Sequence, residues 1–482
     1  MKQVQFNSFH FFIFLLITFL LYYGLSQKLR QPLLLVASLF FIATLSLKLL
    51  FFTFAFVIIN YFLGIWLQKK VETRWRIKVF WVTIFANVGI LSFFKYINFF
   101  FENINFFTGF ISPSLALPYL DILIPVGISY YTFQALGYLI RINRKAEKAE
   151  HNFVYFANYM IFFPKFLAGP VERSNLFLPQ ARAGVVFNAD QVSDGLRLFL
   201  WGMFKKVVIG DNLGAPVNLL YNNIENYSGV MLMLVFVLQA LHLYADFSGY
   251  TDMALGIAKT FGLKLTPNFN RPFFARNVGE FWRRWHISLS SWCNDFIFSP
   301  FIVKYRKAGN RAAIAGIFIT FFVIGIWHGA NWTFVVVGLL QGVAISYEFI
   351  TKRKRLEIAS KLNPTLVLYS SRLITFLFFC LTLVFFNSNH INDSWYFLSH
   401  MFQDVQFQLR GNRLIFDSSG FLIAIFAFVI VIVTEAMQEK GIDVAGKFLR
   451  KPRLVRWAGY YIMIAFIFYF SGSGESFVYL QF

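Results

Sequence analysis

Apolar runs of membrane-spanning length recur along the chain, and basic residues collect in the gaps between them. A bilayer core takes about 20 consecutive apolar residues from a helix. It offers no water to an exposed backbone, which confines such a chain to helices. Runs at 9–25, 32–47, 49–67 and 79–101 are followed by a helical stretch over 122–140. Further runs lie at 312–327, 332–350, 366–387, 418–436 and 457–470. The gaps carry Lys69, Lys70, Arg74, Arg76 and Lys78, then Arg141, Arg144, Lys145 and Lys148, then Lys304, Arg306, Lys307 and Arg311, then Lys352, Arg353, Lys354 and Arg355, and finally a basic segment at 437–456. Residues 102–121 have no Lys or Arg, and 388–417 carry only Arg410 and Arg413. Basic residues are retained on the cytoplasmic side, so the basic gaps are expected inside, and 102–121, 388–417 and both termini outside.

Composition agrees with a membrane protein. Only 14% of residues are charged, against about 25% in soluble domains, and 66 Phe are too many for one aqueous core. The net charge of +21 would suggest nucleic acid in a soluble chain. Placed between apolar runs, it reads instead as topology and attraction for anionic lipid or an anionic donor, with no nucleic-acid partner. Phe9–Leu25 is long, lacks a small-x-small cleavage site and is followed by Lys28 and Arg30, so it is expected to be a retained first span. Cys293 and Cys380 form no metal spacing and no disulfide framework. The expected fold is all-α, a polytopic transmembrane bundle of roughly eleven spans with re-entrant or interfacial helices around a central funnel. Its divisions are expected to be N-terminal helices at 1–120, a core at 121–350 and C-terminal helices at 351–482.

The stretch 151–300 is less regular. Its apolar segments at 153–170, 195–221 and 230–262 are interrupted by charge and by Pro164, Gly169, Pro170, Gly210, Gly214 and Pro216. Broken backbone at membrane depth survives where it lines a cavity or is buried in protein. Short helices lying on the membrane surface are the alternative.

Four stretches stand out. In Phe321–Trp332, FFVIGIWHGANW, His328 sits between two apolar runs that should form a hairpin. An ionisable group there is either functional or a neutral imidazole satisfied at a helix end. In Glu280–Pro300, a continuous helix would align Trp282, Trp285, His286, Leu289 and Cys293 on one aromatic face, with Arg283, Arg284, Ser290, Ser291 and Asn294 opposite. In Tyr244–Gly256, YADFSGYTDMALG, Asp246 and Asp252 lie in apolar surroundings. Asp246 is placed to cap a turn at Ser248 or Gly249, and Arg271, Arg276, Arg283 and Arg284 are the available countercharges. Pro125–Gly137 and Phe162–Arg173 read as kinked or re-entrant helices with close packing at Gly127, Gly137 and Gly169. No G-x-S-x-G elbow, H-E-x-x-H pair or phosphate-binding loop is present, and the seven histidines show no metal spacing. The simplest chemistry left is group transfer by one general base, and a desolvated histidine is neutral and able to take a hydroxyl proton.

Together these stretches resemble the membrane-bound O-acyltransferase (MBOAT) family, and within it the bacterial branch of alginate and peptidoglycan O-acetyltransferases. The motifs that carry the resemblance are PVGISYYTFQALGYLI, FFPKFLAGPVERSNLFLPQ, DFSGYTDMALGIAKTFG, NFNRPFFARNVGEFWRRWHISLSSW and IGIWHGANWTFVVVGLLQG, with the ending FVYLQF. The resemblance implies a bundle around a funnel in the bacterial cytoplasmic (inner) membrane. An acyl-CoA, acetyl-CoA first, or another acyl thioester would arrive from the cytoplasm, with no bound cofactor and no metal. It implies His328 as catalytic general base and His286 as the second active-site position, holding or polarising the donor carbonyl. Trp282, Trp285, Asn294, Asp295, Trp327, Asn331 and Asp246 are candidates to line the funnel. It also implies a polysaccharide acceptor and an extracytoplasmic partner protein that completes the transfer. Two rivals stay open: D-alanyl transfer to teichoic acid by the DltB-like branch, and a non-enzymatic transporter or flippase. The second sits poorly with an irregular stretch that occurs once rather than in repeated halves.

Overall fold

The structure, a computed structural model, describes residues 6, 8–69, 73–112, 116–122, 124–403 and 419–471. Among them every regular element is a helix. Eight helices are long and apolar enough to cross a membrane: Gln27–Leu45, Leu47–Lys69, Thr73–Thr108, Gly229–Thr260, Asn310–His328, Trp332–Ser360, Pro364–Asn387 and Ser419–Glu439. Phe9–Gly24 and Arg453–Phe470 occupy the expected first and last spans, with 16 and 18 residues. The chain is an integral membrane protein. Part of the loop at 388–417 and the ending FVYLQF lie outside the described residues.

Two compact units are present. The first comprises Met1–Leu196 with Ala254–Thr266. Two buried asparagines tie its helices together: Asn87 donates to Asn60 at 2.9 Å, and Asn158 donates to both the backbone and the side chain of Gln31 at 2.9 Å. The PVGISYY and FFPKFLAGP stretches pack here. Gly127 has φ +77°, and a Cβ on it would lie 2.8 Å from the Phe166 carbonyl, so only glycine fits that approach. Pro164 does interrupt the chain, falling in a single 3-10 turn at Phe163–Lys165. The Lys165 ammonium is buried and donates to Gln134 Oε1 and to the Tyr159 carbonyl.

The second unit comprises Arg197–Met253 with Pro267–Phe482. Here the middle of the chain is more regular than its sequence suggests. Pro216 lies inside the helix Asp211–Asn222, and the irregularity precedes it as a π-helical turn, Phe204–Gly210. The 230–262 segment, expected to be broken, is one helix, Gly229–Thr260. It tolerates two acids because each meets a lysine: Lys205 reaches Asp252 at 2.8 Å and Lys206 pairs with Asp246.

Candidate active site

His328 ends the helix Asn310–His328. After Gly329 and Ala330, Asn331 opens Trp332–Ser360 by accepting from the Thr333 N–H at 3.0 Å. The expected hairpin is therefore present. Its helices touch through backbone: a Cβ on Gly325 would lie 3.1 Å from Gly338 Cα, and one on Gly338 would lie 3.2 Å from the Phe321 carbonyl carbon. Small residues at a crossing let membrane helices approach this closely. The His328 ring is buried beside Trp327, Phe386 and Phe334, at centroid distances of 5.0, 5.2 and 6.4 Å.

The WRRWH stretch is not the continuous helix expected from its spacing. Val278–Arg284 ends at Trp285, which is extended, and His286 takes left-handed values, φ 43° and ψ 50°, before Ile287–Cys293 begins. Left-handed backbone costs a non-glycine residue energy unless its surroundings enforce it. The preceding PNFNRP segment does so. The Asn268 carbonyl accepts from Ile287 N–H at 3.0 Å, and its Oδ1 accepts from Ser288 N–H at 3.2 Å and Ser288 Oγ at 2.6 Å. Asn270 N–H donates to the Arg284 carbonyl at 2.9 Å. At the start of Val278–Arg284, Glu348 accepts from Val278 and Gly279 N–H at 2.7 and 3.0 Å, and Asn277 accepts from Glu280 N–H at 2.8 Å. A carboxylate is well placed at that positive helix end.

The break turns His286 inward. It is wholly buried, edge-on to Phe247 at 4.8 Å and 5.6 Å from the Trp327 ring. His286 lies outside the spanning helices. Burial, and then the neighbouring imidazole of His328, hold it well below the usual imidazole pKa. The structure thus brings His286 together with the adjacent pair Trp327 and His328, about forty residues further along the sequence. A neutral imidazole in such a setting has the chemistry of a proton acceptor.

The other candidates divide. Trp282 donates from Nε1 to Gln341 Oε1 at 3.0 Å and meets Phe321 edge-on at 5.2 Å, which ties its helix to the hairpin. Trp285 stacks on Phe281 at 5.5 Å and contacts Phe269 and Phe379. Asn294 and Asp295 open a π-helical turn, Asn294–Phe298, where the exposed Asn294 amide donates to Asp295 at 3.2 Å. Asn331 caps its helix and donates to the Asn389 carbonyl at 2.7 Å.

Asp246 differs from expectation. It lies mid-helix, so it has no turn to cap, and its cation is Lys206, shared with Asp211 at 2.6 Å. Arg284 and Arg271 go instead to Glu439, Arg284 with both guanidinium ends at 2.9 and 3.0 Å, and Arg271 at 3.4 Å. Lys205, Lys206 and Asn268 were missed as partners. The sequence signal for the lysines was an adjacent pair inside an apolar run; for Asn268 it was an asparagine flanked by Pro267 and Pro272. Among the described residues no three metal-ligating side chains converge.

The sequence matches the family model described as MBOAT, membrane-bound O-acyltransferase family, over residues 13–388. This chain belongs to the MBOAT family. It is 31% identical over 409 residues to the probable alginate O-acetylase AlgI of Pseudomonas aeruginosa, covering 83% of this chain and 74% of that one. It is 31% identical over 418 residues to the peptidoglycan O-acetyltransferase of Helicobacter pylori, covering 80% and 76%. It is 30% identical over 238 residues to the teichoic acid D-alanyltransferase of Bacillus subtilis, covering 47% and 60%. As an MBOAT protein the chain is a membrane O-acyltransferase and works on an acyl donor. Membership in an enzyme family sets the transporter reading aside.

Proposed function

We propose that this protein passes an acyl group, acetyl, from a cytoplasmic acyl thioester such as acetyl-CoA toward hydroxyls of a surface polysaccharide or cell-wall glycan. The observation that carries the reading is the convergence of His286 and His328 on Trp327 from two distant motifs. His328 acts as general base. Its nitrogen takes the proton of the attacking hydroxyl, the oxygen bonds to the thioester carbonyl carbon, and the carbon–sulfur bond breaks to release the thiol, which ends with the proton. His286, neutral and fixed by Asn268, orients or polarises the donor carbonyl. The protein lies in the bacterial inner membrane with both termini outside, and a partner protein on that side completes delivery to the glycan.

The test compares ester-bound acetyl on isolated surface glycan from cells carrying the wild type and His328→Ala, with the amount of protein in the membrane measured in both. Loss of acetyl at equal protein supports the reading, and unchanged acetyl sinks the catalytic role. The match to the teichoic acid D-alanyltransferase of Bacillus subtilis favours a second reading, D-alanyl transfer. Release of D-alanine rather than acetate by mild alkali would select it.

A further inference from the structure

In the second unit a cavity of about 460 Å³ opens among the helix Ser419–Glu439, the Tyr244–Asp252 face of Gly229–Thr260 and the loop at 269–271. Its polar lining carries both signs. Lys205 supplies an ammonium, paired with Asp252 at 2.8 Å and Ser248 at 2.9 Å. Arg271 supplies a guanidinium whose Nε faces Glu439 at 3.4 Å. Glu435 supplies a carboxylate on a residue only 8% exposed. One of its oxygens accepts from Tyr244 OH, while Oε2 is buried and has no hydrogen-bond partner. A buried carboxylate oxygen left this way is costly, so it points to an occupant that donates an N–H or O–H there.

The position of the cavity narrows the occupant. Thr434, Glu435 and Gln438 face it from the last turns of a spanning helix whose outer side exposes Leu422, Phe426, Val429, Ile430 and Val433. Beyond that helix come Lys440, Lys447, Arg450 and Lys451, the charge signature of the cytoplasmic side. Trp201 also lines the cavity, a residue type that favours headgroup depth. The lipid-facing stripe is continuous with the cavity through one helix.

We propose that this cavity binds the headgroup of an ethanolamine phospholipid. The phosphate lies against Arg271 and Lys205, the primary ammonium donates to Glu435 Oε2, and the acyl chains run along the exposed apolar stripe. The need for a donor at Oε2 excludes a choline headgroup, whose methylated nitrogen carries no N–H, and the charge-assisted bond of an ammonium to a carboxylate favours ethanolamine over the neutral hydroxyls of a glycerol headgroup. This inference does not rest on the acyl-transfer reading.

The test uses the full-length protein in detergent with ethanolamine or choline phospholipid of matched acyl chains, and native mass spectrometry counts the lipid retained. The wild type should retain the ethanolamine lipid about tenfold better, as one charge-assisted hydrogen bond implies. Glu435→Gln should abolish that preference. Thr434→Trp, which fills the cavity and leaves its charges intact, should do the same and serves if Glu435→Gln does not fold. Equal retention of both lipids by the wild type, or an unchanged preference in the variants that fold, would overturn the proposal. Displacement of the lipid by coenzyme A would also overturn it, assigning the cavity to the acyl donor.

Discussion

His286 and His328 share one indole: the Trp327 ring lies 5.6 Å from the first imidazole and 5.0 Å from the second. Burial keeps His286 neutral when folded, whereas in the unfolded chain its pKa is near 6.5. The sign follows. As pH falls below that value the unfolded chain takes up a proton that the folded one refuses, so stability is lost toward acid. Thermal unfolding in detergent should therefore show a decline between about pH 7 and pH 5 that is shallower in His286→Asn, by at most about 1.4 kcal/mol per pH unit for one group. Acyl transfer should fall in His286→Asn and be abolished in His328→Asn, which removes the proposed base. Loss of transfer in His286→Asn with transfer retained in His328→Asn would reverse the assignment.

Asn268 helps to hold the left-handed turn at His286 by accepting from the two residues that follow it, Ile287 and Ser288. Asn268→Ala removes an acceptor from Ser288 N–H and Oγ and leaves both buried, at a cost of about 1–3 kcal/mol. Because the clamp sets the angle of an imidazole, turnover should drop by about tenfold to a hundredfold, and the drop should exceed that of Ser288→Ala. Asn268→Asp, which keeps the acceptor oxygen, should recover part of it. Kinetics of acyl transfer on folded variants decides the point, since a purely structural role would lower protein yield and leave turnover per folded molecule unchanged.

The hairpin that presents His328 depends on two glycines. A Cβ at either Gly325 or Gly338 would press on backbone of the facing helix, which has no flexible end to yield. Gly338→Ala should therefore push the helices apart, and Gly325→Val should do so further, each lowering both the folded yield and the apparent melting temperature by an overpacking cost of about 1–3 kcal/mol or more. Unchanged yield and melting temperature in Gly325→Val would mean that the crossing is not close.

Much of this was legible because the bilayer imposes a simple code. Apolar runs with basic gaps gave the helices at 32–47, 49–67 and 312–350, and the hairpin tip at His328, since length and charge alone decide such elements. The WRRWH stretch failed for the opposite reason. Its apolar spacing fits an unbroken helix, and the break at His286 comes from hydrogen bonds to Asn268, a non-local contact that periodicity does not see. Gly229–Thr260 failed in the other direction. Two aspartates and several glycines suggested interruption, but their lysine partners lie in another helix, so the cost that would have broken it is offset from outside.

That offset makes Lys206 a sensitive polar position in the second unit. Its ammonium serves Asp211 and Asp246, whose side chains are each about 1% exposed. Lys206→Met fills similar volume but removes the ammonium that two buried carboxylates share, and breaking a buried pair from one side costs about 3–5 kcal/mol. The variant should lose most of its folded yield in the membrane. Asp246→Asn alone should cost less, because the ammonium keeps Asp211. The triple replacement Lys206→Met, Asp211→Asn, Asp246→Asn removes every charge at once, and should recover stability relative to Lys206→Met, because replacing a whole buried ion cluster is often neutral. Melting temperatures of the four proteins in one detergent give the comparison. A triple variant no more stable than Lys206→Met would show that the lysine packs the helices rather than balancing their charge.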